Sequence, residues 1–133
     1  MRSLARETVF KFIFSQLFNP CDGELFTLLK REAKLNANDC DFADNLLKAI
    51  DSNVDRYLSN ISSLSNRFEL NRIFNADKCA LLIGMAELEN FKDTPVAVII
   101  DEAVTLSGKF STEKSTDFVN GILATYAKEV RNG

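Results

Sequence analysis

The sequence predicts an all-α fold, a single-domain bundle of about seven helices across residues 1–133, and three observations carry that prediction. Apolar residues recur mostly at steps of three and four, the spacing that lines one face of a helix. Five glycines and two prolines are too few for a many-stranded fold, which needs turn formers roughly every ten positions. No stretch makes a convincing strand. Val96 to Ile100 is the one run where β propensity competes, and its helical continuation and Thr-Pro start favour helix.

Residues 3–18 read as the first helix. Leu4, Val9, Phe10, Phe12, Ile13, Phe14, Leu17 and Phe18 cover more than one face, which predicts a central helix packed on several sides. Asn19–Pro20 ends it, because the residue before proline is pushed out of helical space. Asp22 caps a short helix to about Lys34. Asp39 or Asp41 starts a longer one through Phe42, Leu46, Leu47, Ile50, Val54, Tyr57 and Leu58, and the Ser/Asn-rich stretch 59–66 breaks it. A short turn of helix follows around Phe68 to Ile73. Asn75 then caps a helix to about Phe91.

Thr94 is the next N-cap, with Pro95 at the first helical position, where its missing N–H costs nothing. Ser107–Gly108 reads as the stop, and a last helix carries Phe118, Val119, Ile122, Leu123 and Tyr126. Asn120 and Gly121 interrupt its apolar pattern. A glycine so placed lets another helix approach closely, since glycine otherwise costs about 1 kcal/mol in a helix interior.

Composition narrows the chemistry. With 46% hydrophobic and 26% charged residues the chain is ordinary for a globular protein, and its formal charge of −3 gives no global case for nucleic acid. Any RNA contact must rest on a local basic patch. Cys21, Cys40 and Cys79 are widely spaced, and without histidine no Cys/His zinc pattern exists; reduced thiols are expected, and no metal. The apolar run Val9 to Phe18 is broken by Lys11, Ser15 and Gln16, and no run approaches the ~20 residues of a membrane span, so a cytoplasmic protein is expected.

Catalytic groups are scarce. The commonest general base is missing, and there is no phosphate loop and no G-x-S-x-G. Asp101 and Glu102 are adjacent on a helix and do not converge. The chain reads as a non-enzyme without a cofactor, and binding is what remains.

The string Ile100-Asp101-Glu102-Ala103-Val104, with Leu106, followed after a short connection by Phe118-Val119-Asn120-Gly121-Ile122-Leu123, resembles the C-terminal signature of the NusB family of transcription antitermination factors, and the spacing between the two halves matches the family's without a gap. Ala5-Arg6-Glu7, Asp77-Lys78-Cys79-Ala80-Leu81 with Glu87-Leu88, and Asp93-Thr94-Pro95 extend the resemblance over most of the chain. It implies an all-helical protein that pairs with the ribosomal protein NusE. Together the two recognise boxA-like single-stranded RNA within the RNA polymerase antitermination complex and support ribosomal RNA synthesis. By position it places Arg2 and Arg6 in the family's RNA-gripping N-terminal segment, and Asp77, Lys78, Phe110 and Lys114 on its RNA-facing or partner-facing surface. Phe110 would stack on an unpaired base. Phe118, Asn120 and Gly121 look like residues that hold the fold.

The chain also departs from the family pattern. Ser3 and Leu4 stand where many members have arginine, Leu82 and Ala86 replace an arginine and a tyrosine, and Lys114 occupies a position often acidic. Each lost phosphate contact weakens RNA binding, which leaves more to the protein partner. The alternative is a protein-interaction module on the same fold with RNA binding reduced or lost. A second alternative, the NusB-like domain of an RNA cytosine methyltransferase, lacks any segment suited to S-adenosylmethionine. An exposed apolar helix face can serve a homodimer or NusE equally well.

Overall fold

The computed structural model describes residues 2–18, 23–65 and 73–131, which form six helices: α1 (Arg2–Phe18), α2 (Gly23–Glu32), α3 (Ala37–Ser65), α4 (Asn75–Asn90), α5 (Val96–Phe110) and α6 (Glu113–Arg131). The all-α expectation holds. Of the helical turn expected around Phe68 to Ile73, all but Ile73 lies outside the described residues.

The helix at the centre is α4. Every residue from Cys79 to Leu88 is buried, and α4 packs against α1, α3, α5 and α6. A helix apolar on all sides belongs in a core. Leu82 and Ala86, the two departures from the family pattern in this helix, are both buried, so apolar side chains suit their places. The α1 helix is packed on several sides as expected, against α2, α3, α4 and α5.

Boundaries moved where packing outweighed local preference. Helix α3 runs on through residues 59–65, read as a breaker, because Ile61 there is fully buried and Leu64 packs on the core. It bends at Asn53 (φ −133°, ψ 16°), whose side-chain amide donates to the Ala49 carbonyl at 3.0 Å. Its cap is Asn36, whose side-chain oxygen accepts the Asp39 N–H at 2.8 Å, not Asp39 or Asp41.

Asn75 is likewise no cap. It is the first helical residue of α4, Phe74 holds the capping place, and no side chain bonds there. At α5 the cap is Pro95 instead of Thr94, and the helix continues past Ser107–Gly108 to Phe110. Ser107 is fully buried and its hydroxyl donates to Asp77 at 3.1 Å, which keeps the turn inside the helix.

The close helix approach expected at Gly121 occurs at Gly84. Asn120 and Gly121 both face outward, and a Cβ on Gly121 would meet nothing within 4 Å. A Cβ on Gly84 would lie 2.6 Å from Cδ1 of the fully buried Leu123, so here α4 and α6 touch through a missing side chain. Arg131 then ties the end of α6 to the end of α4. Its guanidinium donates to the carbonyls of Leu88 (2.6 Å), Phe91 (3.0 Å) and Thr94 (3.2 Å), a cation where the helix dipole is negative. Nearby, Glu89 accepts Tyr126 Oη at 2.8 Å and Tyr57 Oη at 3.3 Å and pairs with Arg56.

Two outcomes follow. Gly84→Ala is expected to lower unfolding free energy by roughly 1–3 kcal/mol through overpacking on Leu123, while Gly121→Ala raises it by ~0.5–1 kcal/mol through helix propensity, both read by urea denaturation. Equal effects at the two glycines would contradict the contact. The bond with Arg56 holds the Glu89 carboxyl below the usual carboxylate range. Because its folded pKa is depressed, Glu89 contributes stability that is complete above the unfolded pKa of about 4.3 and fades as pH falls through the lower folded value. Glu89→Gln should therefore flatten the acid limb of a stability-against-pH curve; an unchanged limb would place that acid sensitivity elsewhere.

Candidate nucleic-acid interface

Successive turns of α1 face α5 along one seam. Ser3 bonds Glu102, Arg6 reaches the same carboxylate, and Glu7 pairs with Lys109 of α5 and Lys11 of α1. Phe10 stacks on Phe110 with ring centroids 4.7 Å apart and an interplanar angle of 23°. Positions 3, 6, 7 and 10 share one helix face, so the seam follows from helical spacing once α5 is in place. The Lys109 bond is the main reason that the Glu7 carboxyl is held below its ordinary range.

Arg6 is not where the sequence reading put it. Expected in an RNA-gripping segment at the surface, its side chain is 3% exposed and turned into the core. Its Nε and Nη2 donate to the two oxygens of Glu87 at 2.7 and 2.8 Å, and Nη1 donates to Glu102 at 2.9 Å. Glu87 is fully buried. Burial pushes its carboxyl pKa up, against the pull of Arg6. Burial also works against the Arg6 charge, but the two carboxylates outweigh it and hold the guanidinium above its ordinary value. All three of its outer nitrogens are occupied, so Arg6 orients α1 and presents nothing to solvent.

Arg2, one turn earlier, is exposed. Its guanidinium lies 4.6 Å from the centroid of the Phe42 ring and donates to Thr94 Oγ1 at 3.3 Å. Phe110 is 37% exposed, with Phe10 beneath it and Lys109 Nζ 5.4 Å from its ring centroid.

Asp77 and Lys114 meet across a groove of about 700 Å3 between the start of α4 and the α5–α6 turn. Asp77 is 3% exposed and accepts the Ser107 hydroxyl, so it forms part of the groove's base. Lys114 is exposed on the rim. Lys78 is half-buried and does not line the groove.

Phe74 and Phe118 do line it, and the sequence reading missed both as surface residues. Phe74 is 60% exposed, and Phe118, expected to hold the fold, is half-buried with one side on the groove. For Phe118 the available signal was spacing, since it follows Lys114 by four residues on the same face of α6; nothing in the sequence marks Phe74.

Comparison with known proteins gives one consistent result. The model of the NusB family matches residues 2–128. The transcription antitermination protein NusB of Natranaerobius thermophilus is 30% identical, over 97% of this chain and 96% of the relative. The structure of NusB from T. maritima superposes with a TM-score of 0.90 at 31% identity, covering 97% of this chain and 92% of the other. NusB in the structure of the antitermination factors NusB and NusE in complex with dsRNA superposes with a TM-score of 0.82 at 26% identity, covering 96% of each chain.

The buried ion pair yields a stability prediction. Arg6→Gln leaves Glu87 without its cation and is expected to cost roughly 3–5 kcal/mol in urea denaturation, with part of the loss recovered when Glu87→Gln is added. Arg2→Ala, which removes an exposed contact, should stay within about 1 kcal/mol. A mild Arg6→Gln would mean that the pair does not hold α1.

Proposed function

The chain belongs to the NusB family, and on that premise we propose that it is a transcription antitermination factor that binds boxA-type RNA together with ribosomal protein NusE and supports ribosomal RNA transcription. It acts by binding, not by catalysis, in the cytoplasm, as an adaptor within the RNA polymerase antitermination complex. The similar fold seen with NusE and dsRNA supports the pairing of protein and RNA partners. Among the described residues no helix is long and apolar enough to cross a membrane.

The observation that carries the RNA reading is Phe110. An aromatic ring backed on one face by Phe10 and partly open to solvent is a ready platform for an unpaired base. Lys114 and Arg2 supply exposed charge for phosphates, and Lys78 adds a partly exposed one. Asp77 holds the groove base from beneath, and Arg6 keeps α1 in register. The apolar wall made by Phe74 and Phe118 suits the protein partner.

One observation favours the second reading, a protein-interaction module with weak RNA binding. With Arg6 turned inward and Ser3 and Leu4 beside it, the first turns of α1 present Arg2 as their outward arginine.

Fluorescence anisotropy of a labelled boxA-like RNA, at low and high salt and with and without NusE, separates the two. Phe110→Ala should weaken binding about tenfold without changing its salt dependence, since stacking is worth ~1–3 kcal/mol per base. Lys114→Ala should flatten the log–log salt slope by about 0.7, the loss of one phosphate contact to a single strand. NusE binding with no RNA binding at any salt would leave the second reading standing.

A further inference from the structure

Beside the first turn of α1 lies a cleft of which the contacts proposed above use Arg2 alone. It holds about 630 Å3 and is lined by Asn36, Asn38, Asn45, Asp39, Asp41 and Arg2, with Phe42 and Phe91 as its aromatic walls. Three features of this lining bear on what it takes.

The first is Arg2, already partly held in place. Its guanidinium lies over the Phe42 ring and donates to the Thr94 hydroxyl, so part of the cost of ordering it is met before any ligand arrives. A guanidinium held in this way is a stacking surface for a second π system.

The second is the amide content. Asn36 uses its side-chain oxygen to cap α3, which leaves its NH2. Asn38 and Asn45 are exposed and make no side-chain bond among the described residues. Side-chain amides pair with base edges, which carry donors and acceptors side by side.

The third feature is charge. Asp41 is exposed in the lining, and a carboxylate only accepts hydrogen bonds, which favours groups that donate them. An exocyclic amino group on a base meets that requirement, whereas uracil offers only its ring N–H.

We propose that this cleft receives one unpaired, amino-bearing base of a bound RNA strand, stacked on Arg2 and read by Asn38 and Asn45. The proposal rests on the RNA-binding reading above and adds a base-specific subsite to it. Geometry permits one strand to serve both places: Phe10, which backs Phe110, is two helical turns from Arg2, or ~12 Å along α1.

The test is an anisotropy titration of the full chain, with NusE where it is needed for binding, against a single-stranded RNA in which each base in turn is removed. The unmodified protein should lose about tenfold at one position outside the Phe110 contact. Restoring adenine, cytosine or guanine there should recover that loss, and uracil should not. In Asn38→Ala/Asn45→Ala the penalty at that position should shrink to what stacking on Arg2 supplies, the Phe110-dependent penalty should persist, and the salt slope and melting temperature should match the unmodified protein. An unchanged profile in this variant, with RNA still bound, overturns the base subsite alone. A flattened salt slope also overturns it, since the cleft would then be holding a phosphate. Failure of the unmodified protein to bind RNA with or without NusE overturns the RNA reading and the subsite together.

Discussion

A carboxylate in the middle of the core organises this protein. Glu87 sits on α4 with no solvent access, and a lone buried carboxylate costs several kcal/mol of desolvation. Arg6 supplies the matching cation through a bidentate contact and extends its third nitrogen to Glu102. One guanidinium thus ties α1, α4 and α5, and its geometry admits one rotation and one height of α1. Once α1 is seated, Ser3 and Glu7 find their α5 partners and Phe10 finds Phe110. The stacking of Phe10 on the exposed Phe110 is therefore a consequence of a buried ion pair.

The other half of the surface depends on how α6 is held. Gly84 lets Leu123 sit against the α4 backbone, and Arg131 caps the end of α4 from the end of α6. At the opposite end of α6 the hydroxyls of Ser111, Thr112 and Ser115 bond one another across the α5–α6 turn. Ser107 anchors the same region to Asp77 of α4. These bonds set the distance between the α4 and α6 starts and so the width of the groove that carries Phe74, Lys114 and Phe118. Ser107, Thr112 and Ser115 are engaged in these bonds, while Phe74 and Phe118 open on the groove.

Much of the fold was legible because helical periodicity is a local property. Phe42, Leu46 and Ile50 mark the buried face of α3 by spacing alone, and the paired C-terminal strings identified the family without any coordinates. Lys114 and Phe110 were placed by resemblance to that family and do lie at the surface. The errors have a common origin. Ser/Asn content argued for a break at residues 59–65, and burial of Ile61 overrode it. Gly121 looked like the contact glycine because it sits in an apolar pattern, yet the helix it would have admitted passes at Gly84. Arg6 was placed at the surface by resemblance to the family's N-terminal segment, and residue type gave no sign of burial, since arginine is mostly exposed.

By itself the sequence determined the helical class, the order of the elements and the family, since each depends on spacing along the chain and on short strings of residue types. Tertiary structure alone decided which charged residues face inward, which glycine carries the α4–α6 contact and which aromatics line a groove. Those outcomes depend on what stands opposite a residue after folding: an arginine is drawn inward only when a buried carboxylate waits for it. Glu87 is 81 positions away from Arg6, beyond the reach of any local pattern.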